Sequence, residues 1–208
     1  MSVAGYNTKI KLSGSGTTMS SEAMAATTGT NEYQISNSAK GIFDPTTTPS
    51  FTVGGTAISS TDISSIDYLF GKVTFSSTKG AAIKVSGTYL PTTNIAGAHA
   101  YNLNISRNLL DDTDFNSSGW ISRANGLKDV SFTVNRWDDV STQFLDLINS
   151  TKDVIADVRP GNSTSVVYRG VFKVESEAKS GDVTALEGSD VSFQLNGSSN
   201  ASFGIGSI

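Results

Sequence analysis

Val130-Ser131-Phe132-Thr133-Val134-Asn135 sets an apolar residue at every even position and a small uncharged polar one at every odd position. Successive side chains of an extended chain point to opposite faces, so this run is a strand with one face on a core. Tyr101-Asn102-Leu103-Asn104-Ile105-Ser106 and Val191-Ser192-Phe193-Gln194-Leu195-Asn196 repeat the pattern. Residues 83–89 alternate in the same way around Lys84, Ser86 and Thr88. Half-buried strands of this kind build antiparallel sheets, and their outward faces here are almost free of charge.

Turn signals join the strands. Gly54-Gly55 lies between Phe51-Thr52-Val53 and Thr56-Ala57-Ile58, where a two-residue hairpin turn needs positive φ. Gly71-Lys72 follows Ile66-Asp67-Tyr68-Leu69-Phe70 and leads into Val73-Thr74-Phe75. Residues 31–91 therefore read as a β-hairpin module, and residues 92–98 as a linker to the second half. Further strands are expected at 154–158 and 166–174. One segment departs from period two: Trp137, Val140, Phe144, Leu147 and Ile148 fall at helical spacing. The spacing predicts one amphipathic helix over about 138–150, started by Asp138 or Asp139 and packed by its aromatic side. The expectation is a mainly β protein, an antiparallel sandwich or barrel with one flanking α-helix, in a single domain over 1–208. Residues 13–30 and 198–208 are small, polar and glycine-rich. They read as flexible arms or loops, either disordered or ordered only against neighbouring subunits.

Composition narrows the function. The 208 residues contain no cysteine, which excludes disulfides and thiolate metal sites, and one histidine, His99. Charged residues are 16% of the chain and the net charge is −4, with no basic run to displace counterions from a nucleic acid. Met1-Ser2-Val3-Ala4-Gly5 has neither a basic nor an apolar leader segment, and no apolar stretch is long enough to span a bilayer. The chain is thus expected to be made in a cytoplasm and to need no membrane.

The apparent chemical motifs fail on inspection. Taking Asp112 as the first position of a calcium loop sets Asp114 and Asn116 correctly, but Ser117 stands where glycine is needed and Arg123 where the bidentate glutamate belongs. Asp138-Asp139 is more simply a helix cap than an acid–base pair. His99 has no serine or cysteine motif near it and reads as a surface or packing residue. No nucleophile elbow, phosphate loop or dinucleotide fingerprint occurs. The expectation is no catalytic residue, no metal and no cofactor.

The ordered set of motifs resembles the major tail proteins that build the tube of long, non-contractile bacteriophage tails. Its carriers are Tyr33-Gln34-Ile35-Ser36, Asp44-Pro45, Gly54-Gly55, the run from Ile66 to Phe75 and Gly87-Thr88-Tyr89-Leu90-Pro91. They continue with the strand at 102–106, Leu110-Asp111, Thr113, Phe115, Trp120, Arg123, Gly126-Leu127 and the strand at 129–134. Gly170-Val171-Phe172-Lys173-Val174, Gly181-Asp182-Val183 and Val191-Ser192-Phe193-Gln194 complete the set. The resemblance implies a structural virion protein forming hexameric rings. These stack into a hollow tube around a tape measure protein, meet tail tip and terminator proteins, and pass double-stranded DNA without binding it specifically. Under that resemblance Phe43, Asp44, Pro45, Asp112, Thr113, Phe115 and Trp120 are candidate subunit contacts. Phe115 and Trp120 are equally readable as cover for the local core. Asn102, Asn104, Ser131, Thr133, Asn135 and Gln194 are candidate lumen-facing residues. Competing readings are a surface-displayed immunoglobulin-like or carbohydrate-binding sandwich, and a ring-forming tail terminator or secretion-tube component.

Overall fold

A computed structural model describes residues 8–80, 82–114, 120–138, 142–182, 184–197 and 200–208. The chain order is β1 (Lys9–Ser13), β2 (Thr17–Ala26), β3 (Glu32–Ile35), β4 (Ser50–Val53), β5 (Thr56–Ala57), β6 (Ile63–Asp67), β7 (Lys72–Phe75), β8 (Ile83–Tyr89), β9 (Thr92–Asn94), β10 (Ala98–Asp111), β11 (Arg123–Trp137), α1 (Gln143–Asn149), β12 (Val154–Arg159), β13 (Val167–Ser180), β14 (Gly188–Leu195) and β15 (Phe203–Gly206). Every strand pair with a resolved register is antiparallel. The protein is mainly β with one α-helix among the described residues, as the alternation required. The chain divides into two compact units: Met1–Ile95 with Asp153–Phe172 and Asn196–Ile208, and Ala96–Lys152 with Lys173–Leu195.

The first unit holds a seven-stranded sheet in the order β5-β4-β8-β2-β3-β7-β6. A second set of strands pairs β9 on β1, β1 on β12, and β12 and β15 on β13. Phe51, Phe75, Tyr33, Val73, Val85 and Ile83 of the first sheet share one buried cluster with Ile155, Val167 and Val171 of the second. Phe75 meets Phe51 edge-on at 5.9 Å and Tyr33 at 5.7 Å. Each such ring contributes about 1.5–3 kcal/mol by leaving water. The Gly54-Gly55 turn forms as expected, with φ of 58° and 87° and Val53 paired to Thr56. The second turn is longer than a two-residue one: Lys72 already pairs with Asp67, and Tyr68, Leu69 and Phe70 are buried in the turn.

Three expectations are corrected in this unit. Residues 17–26, read as part of a flexible arm, are the central strand β2. Their alternation is masked because a register shift between Met19 and Glu22, with Ser21 at φ 54°, breaks the two-residue phase between the buried Met19 and Met24. Residues 92–94, read as linker, form β9 on β1. Residues 203–206 of the expected tail are β15, paired to β13 from Val167 to Gly170, while Ala201 is buried and Ile208 packs on the core. Residues 198–199 lie outside the described set. The expected 31–91 module falls inside this unit.

A charged row crosses the same core. Asp157 of β12 is the register partner of both Lys11 on β1 and Arg169 on β13, and alternates with Ile155 as Arg169 alternates with Val167 and Val171. Arg169 Nη2 lies 2.7 Å from Asp157 Oδ2, and Arg159 Nε donates to Asp157 Oδ1 at 2.5 Å. The spare Nη1 of Arg169 donates to the carbonyls of Gly41 at 3.0 Å and Leu69 at 2.6 Å, and its guanidinium stands 5.3 Å from the Phe70 ring centre. Burial alone would raise the Asp157 carboxyl, but the hydrogen bond from Arg159 and the charge of Arg169 hold it below its ordinary value. Burial also lowers the Lys11 ammonium.

The second unit is built on β10, β11 and β14, with residues 173–180 of β13 beside β14. Val130, Phe132, Val134, Val191 and Phe193 are buried on one face. Phe193 packs against Phe132 at 5.3 Å and edge-on against Phe144 of α1 at 6.1 Å. The helix is shorter than the expected 138–150. Thr142 is its N-cap without a side-chain cap bond, so Asp138 does not start it. The Asp138 carboxylate instead accepts from Lys179 at 3.0 Å and its N–H donates to Glu187. Asp139 and Val140 lie outside the described residues. Phe144 faces the core as its spacing implied, whereas Trp137 ends β11, 45% exposed, stacked on His99 at 4.3 Å.

Candidate functional site

The register of the second unit brings all six candidate lumen-facing residues onto one sheet face. Asn102 pairs with Thr133 and Thr133 with Ser192; Asn104 pairs with Ser131 and Ser131 with Gln194; Asn135 pairs with Asp190. These rows lie opposite the buried Phe132 and Val134, because side chains alternate along each strand. Ser106 and Asp129 extend the face by one row. Its charged members are carboxylates, with no Lys or Arg in these rows. Asn135 Nδ2 donates to Asp190 Oδ1 at 2.6 Å, and Gln194 Nε2 donates to Asp129 Oδ2 at 2.8 Å. The Asn135 and Gln194 amides are thereby engaged by the acids, and the face presents hydroxyls, the Asn102 and Asn104 amides and carboxylate oxygens.

The outer part of β10 and β11 is a two-stranded arm. Past Ile105–Val130 the ladder runs through Arg107–Lys128, shifts register, and resumes at Leu109–Asn125, Leu110–Ala124 and Asp111–Arg123. Among the described residues both faces of this arm carry exposed apolar side chains: Ile105, Leu109, Leu110, Trp120, Ile121 and Leu127 are all exposed, Trp120 by 80% and Leu127 by 87%. Asp111 closes the loop by accepting from the Thr113 hydroxyl at 2.5 Å and its N–H at 3.0 Å, bonds that lower the Asp111 carboxyl. The Thr113 hydroxyl in turn accepts from the Ser122 N–H at 3.0 Å. Asp111, the residue just before the first position of the apparent calcium loop, is therefore held within a turn, and Arg123 is its register partner on the neighbouring strand. Among the described residues β10 pairs with β11 alone, leaving the other edge of a 14-residue strand open.

The candidate contact residues separate. Asp112, Thr113 and Trp120 are exposed on the arm, while Phe115 lies outside the described residues. Phe43 is a correction: with 0% exposure, bridged to Tyr89 and inside the core, its ring has no surface to offer a neighbour. Its neighbours are half-buried and tied internally, Asp44 accepting from Thr46 at 2.9 Å and Pro45 accepting from Asn200 at 2.8 Å. The sequence reading passed over Asp157, Arg169 and the buried Arg136 as well. A charge at a core-facing step of an otherwise apolar strand was the available signal.

No protein-family model matches the chain, and no curated protein matches it. Solved structures similar to it include two from gene-transfer-agent particles. One, described as the tail of an empty GTA particle with C6 symmetry, is 14% identical over 57% of this chain and 87% of its own, with a TM-score of 0.46. The other, from the virion of a native gene transfer agent (GTA) particle, is 17% identical over 54% of this chain and 88% of its own, with a TM-score of 0.47. Likenesses of this size leave function to be argued from the chain's own residues.

Proposed function

We propose that this protein is a structural virion subunit that polymerises as stacked hexameric rings into the tube of a phage-type tail. The observation that carries this reading is the unfinished arm: a long open β-edge next to six exposed large apolar side chains. Open edges and exposed hydrocarbon are aggregation hazards in a lone subunit. Ring closure between copies pairs the edges, and head-to-tail stacking is a heterologous contact that repeats without limit. In this arrangement Asp112, Thr113, Phe115 and Trp120 meet a neighbouring copy. The rows of Asn102, Asn104, Ser131, Thr133, Asn135 and Gln194 line the channel. A lumen of uncharged polar side chains with carboxylates and no cation in these rows offers phosphates no ion pair, and its carboxylates repel them within a screening length of about 8–10 Å, so DNA slides. The tape measure, tip and terminator proteins are the remaining partners, the role is not catalytic, and assembly takes place in the host cytoplasm.

The test is negative-stain electron microscopy of the concentrated protein with light scattering for mass. Hollow tubes or six-membered rings are expected. A chain that stays monomeric both alone and with tail-tip complexes overturns the proposal. Replacing Asn102, Asn104 and Ser131 by Lys is expected to leave tubes assembled and impair DNA ejection; unchanged infectivity overturns the lumen assignment. One observation favours the rival binding module, namely the solvent-facing His99–Trp137 stack, an aromatic surface of the kind that sugars pack against. Saturable glycan binding abolished by Trp137→Ala, in a strictly monomeric protein, would establish that alternative.

A further inference from the structure

We infer that Asn125 is a site of spontaneous deamidation, selected by the fold over the chain's other Asn-Gly pair, Asn196-Gly197. Glycine has no Cβ to obstruct attack by its own main-chain nitrogen on the preceding side-chain amide, so Asn-Gly is the dipeptide most prone to this reaction. Folding then decides which pair can reach the required geometry.

The two pairs differ in both backbone and side chain. Gly126 lies in the register shift of the arm. Arg107 pairs with Lys128 and Leu109 with Asn125, so Gly126 and Leu127 have no register partner and together oppose Asn108. Two residues against one is a β-bulge, where the ladder no longer fixes the backbone. The bulge needs glycine, since a Cβ there would sit 2.8 Å from the Asn108 carbonyl oxygen. Asn125 itself is exposed. Asn196 is held at both ends: its side-chain Nδ2 donates to Asp153 Oδ1 at 2.9 Å, and its main-chain N–H donates to the Val171 carbonyl at 2.8 Å.

The reaction needs only water. The Gly126 nitrogen gives up its proton and attacks Asn125 Cγ; the new C–N bond closes a five-membered succinimide as the Cγ–Nδ2 bond breaks and ammonia leaves. Water then opens either side of the ring, yielding aspartate or isoaspartate. The product places a new carboxylate beside Leu109, its register partner, and one row from the Asp111–Arg123 pair on the same face. The charge balance of that face thus changes as the protein ages.

The experiment incubates the intact folded chain at mildly alkaline pH and follows both pairs by peptide mass mapping, with a denatured sample in parallel. Expected is conversion at Asn125 severalfold faster than at Asn196 in the folded chain, with the two rates converging on denaturation. Equal rates in the folded chain, or Asn196 reacting first, overturns the inference. Asn125→Gln keeps the bulge glycine and is expected to remove the dominant acidic species on isoelectric focusing; persistence of that species overturns it as well.

Discussion

In the first unit the charged side chains of Asp157 and Arg169 are 0% and 1% exposed, while in the second the apolar Leu127 and Trp120 are 87% and 80% exposed. Both inversions break the rule that charge faces water and hydrocarbon faces inward, and they break it for different reasons. In the first unit the buried charges are satisfied inside the chain, by each other, by Arg159 and by two main-chain carbonyls. In the arm no described residue covers the hydrocarbon. The buried charges of the first unit are therefore satisfied within one copy, whereas the hydrocarbon of the arm leaves water only when something covers it.

The sharpest way to break this comparison is Arg169→Ala. It leaves the buried Asp157 with Arg159 as its remaining hydrogen-bonded cation and frees the Gly41 and Leu69 carbonyls, so a loss of about 3 kcal/mol is expected on chemical denaturation. A loss below about 1 kcal/mol, the scale of an exposed ion pair, would mean that the row is solvated. A smaller effect is the acid response of the first unit. The folded Asp157 carboxyl lies below its ordinary value, so near and below pH of about 4 the unfolded state takes up more protons. Stability is therefore present above that pH and drains away as pH falls through the folded value. Asp157→Asn is expected to flatten this limb in a pH series of melts; an unchanged limb assigns the acid sensitivity to another group. The smallest effect on stability belongs to Trp120→Ser with Leu127→Ser, expected within about 0.5 kcal/mol because the arm buries neither residue in the chain. The same pair is expected to abolish self-association on light scattering, and retention of oligomers would remove the arm from the interface.

Legibility followed local phase. β8 and the inner parts of β10, β11 and β14 were readable because their apolar residues keep strict alternation against a buried face. The six polar residues on the opposite face were readable for the same reason. β2 was not, because its register shift moves Met24 out of phase with Met19. β15 was not, because Phe203-Gly204-Ile205-Gly206 carries little to bury: a Cβ at Gly204 or Gly206 would lie 3.0 or 2.8 Å from the Phe70 ring, so close packing there demands the absence of side chains. The helix start was misplaced because Asp138 is committed to Lys179, a partner 41 residues away. Phe43 stands beside Asp44 and Pro45 among the candidate contacts, and only the tertiary fold shows its ring enclosed.

The length of the β10–β11 ladder has a mechanical side. β10 has 14 residues, which at about 3.4 Å each make a strand of roughly 45 Å, its inner part anchored in the sheet and its outer part, beyond Ile105, free as the arm. Load applied along its strands is shared by many hydrogen bonds in shear. Load applied across its tip peels them one at a time, beginning beyond the bulge at Asn108 and Gly126, where the ladder is interrupted. The ribbon is stiff to pulling and yields to bending at a defined place, so a filament joined through such arms would flex at its joints before its subunits unfold.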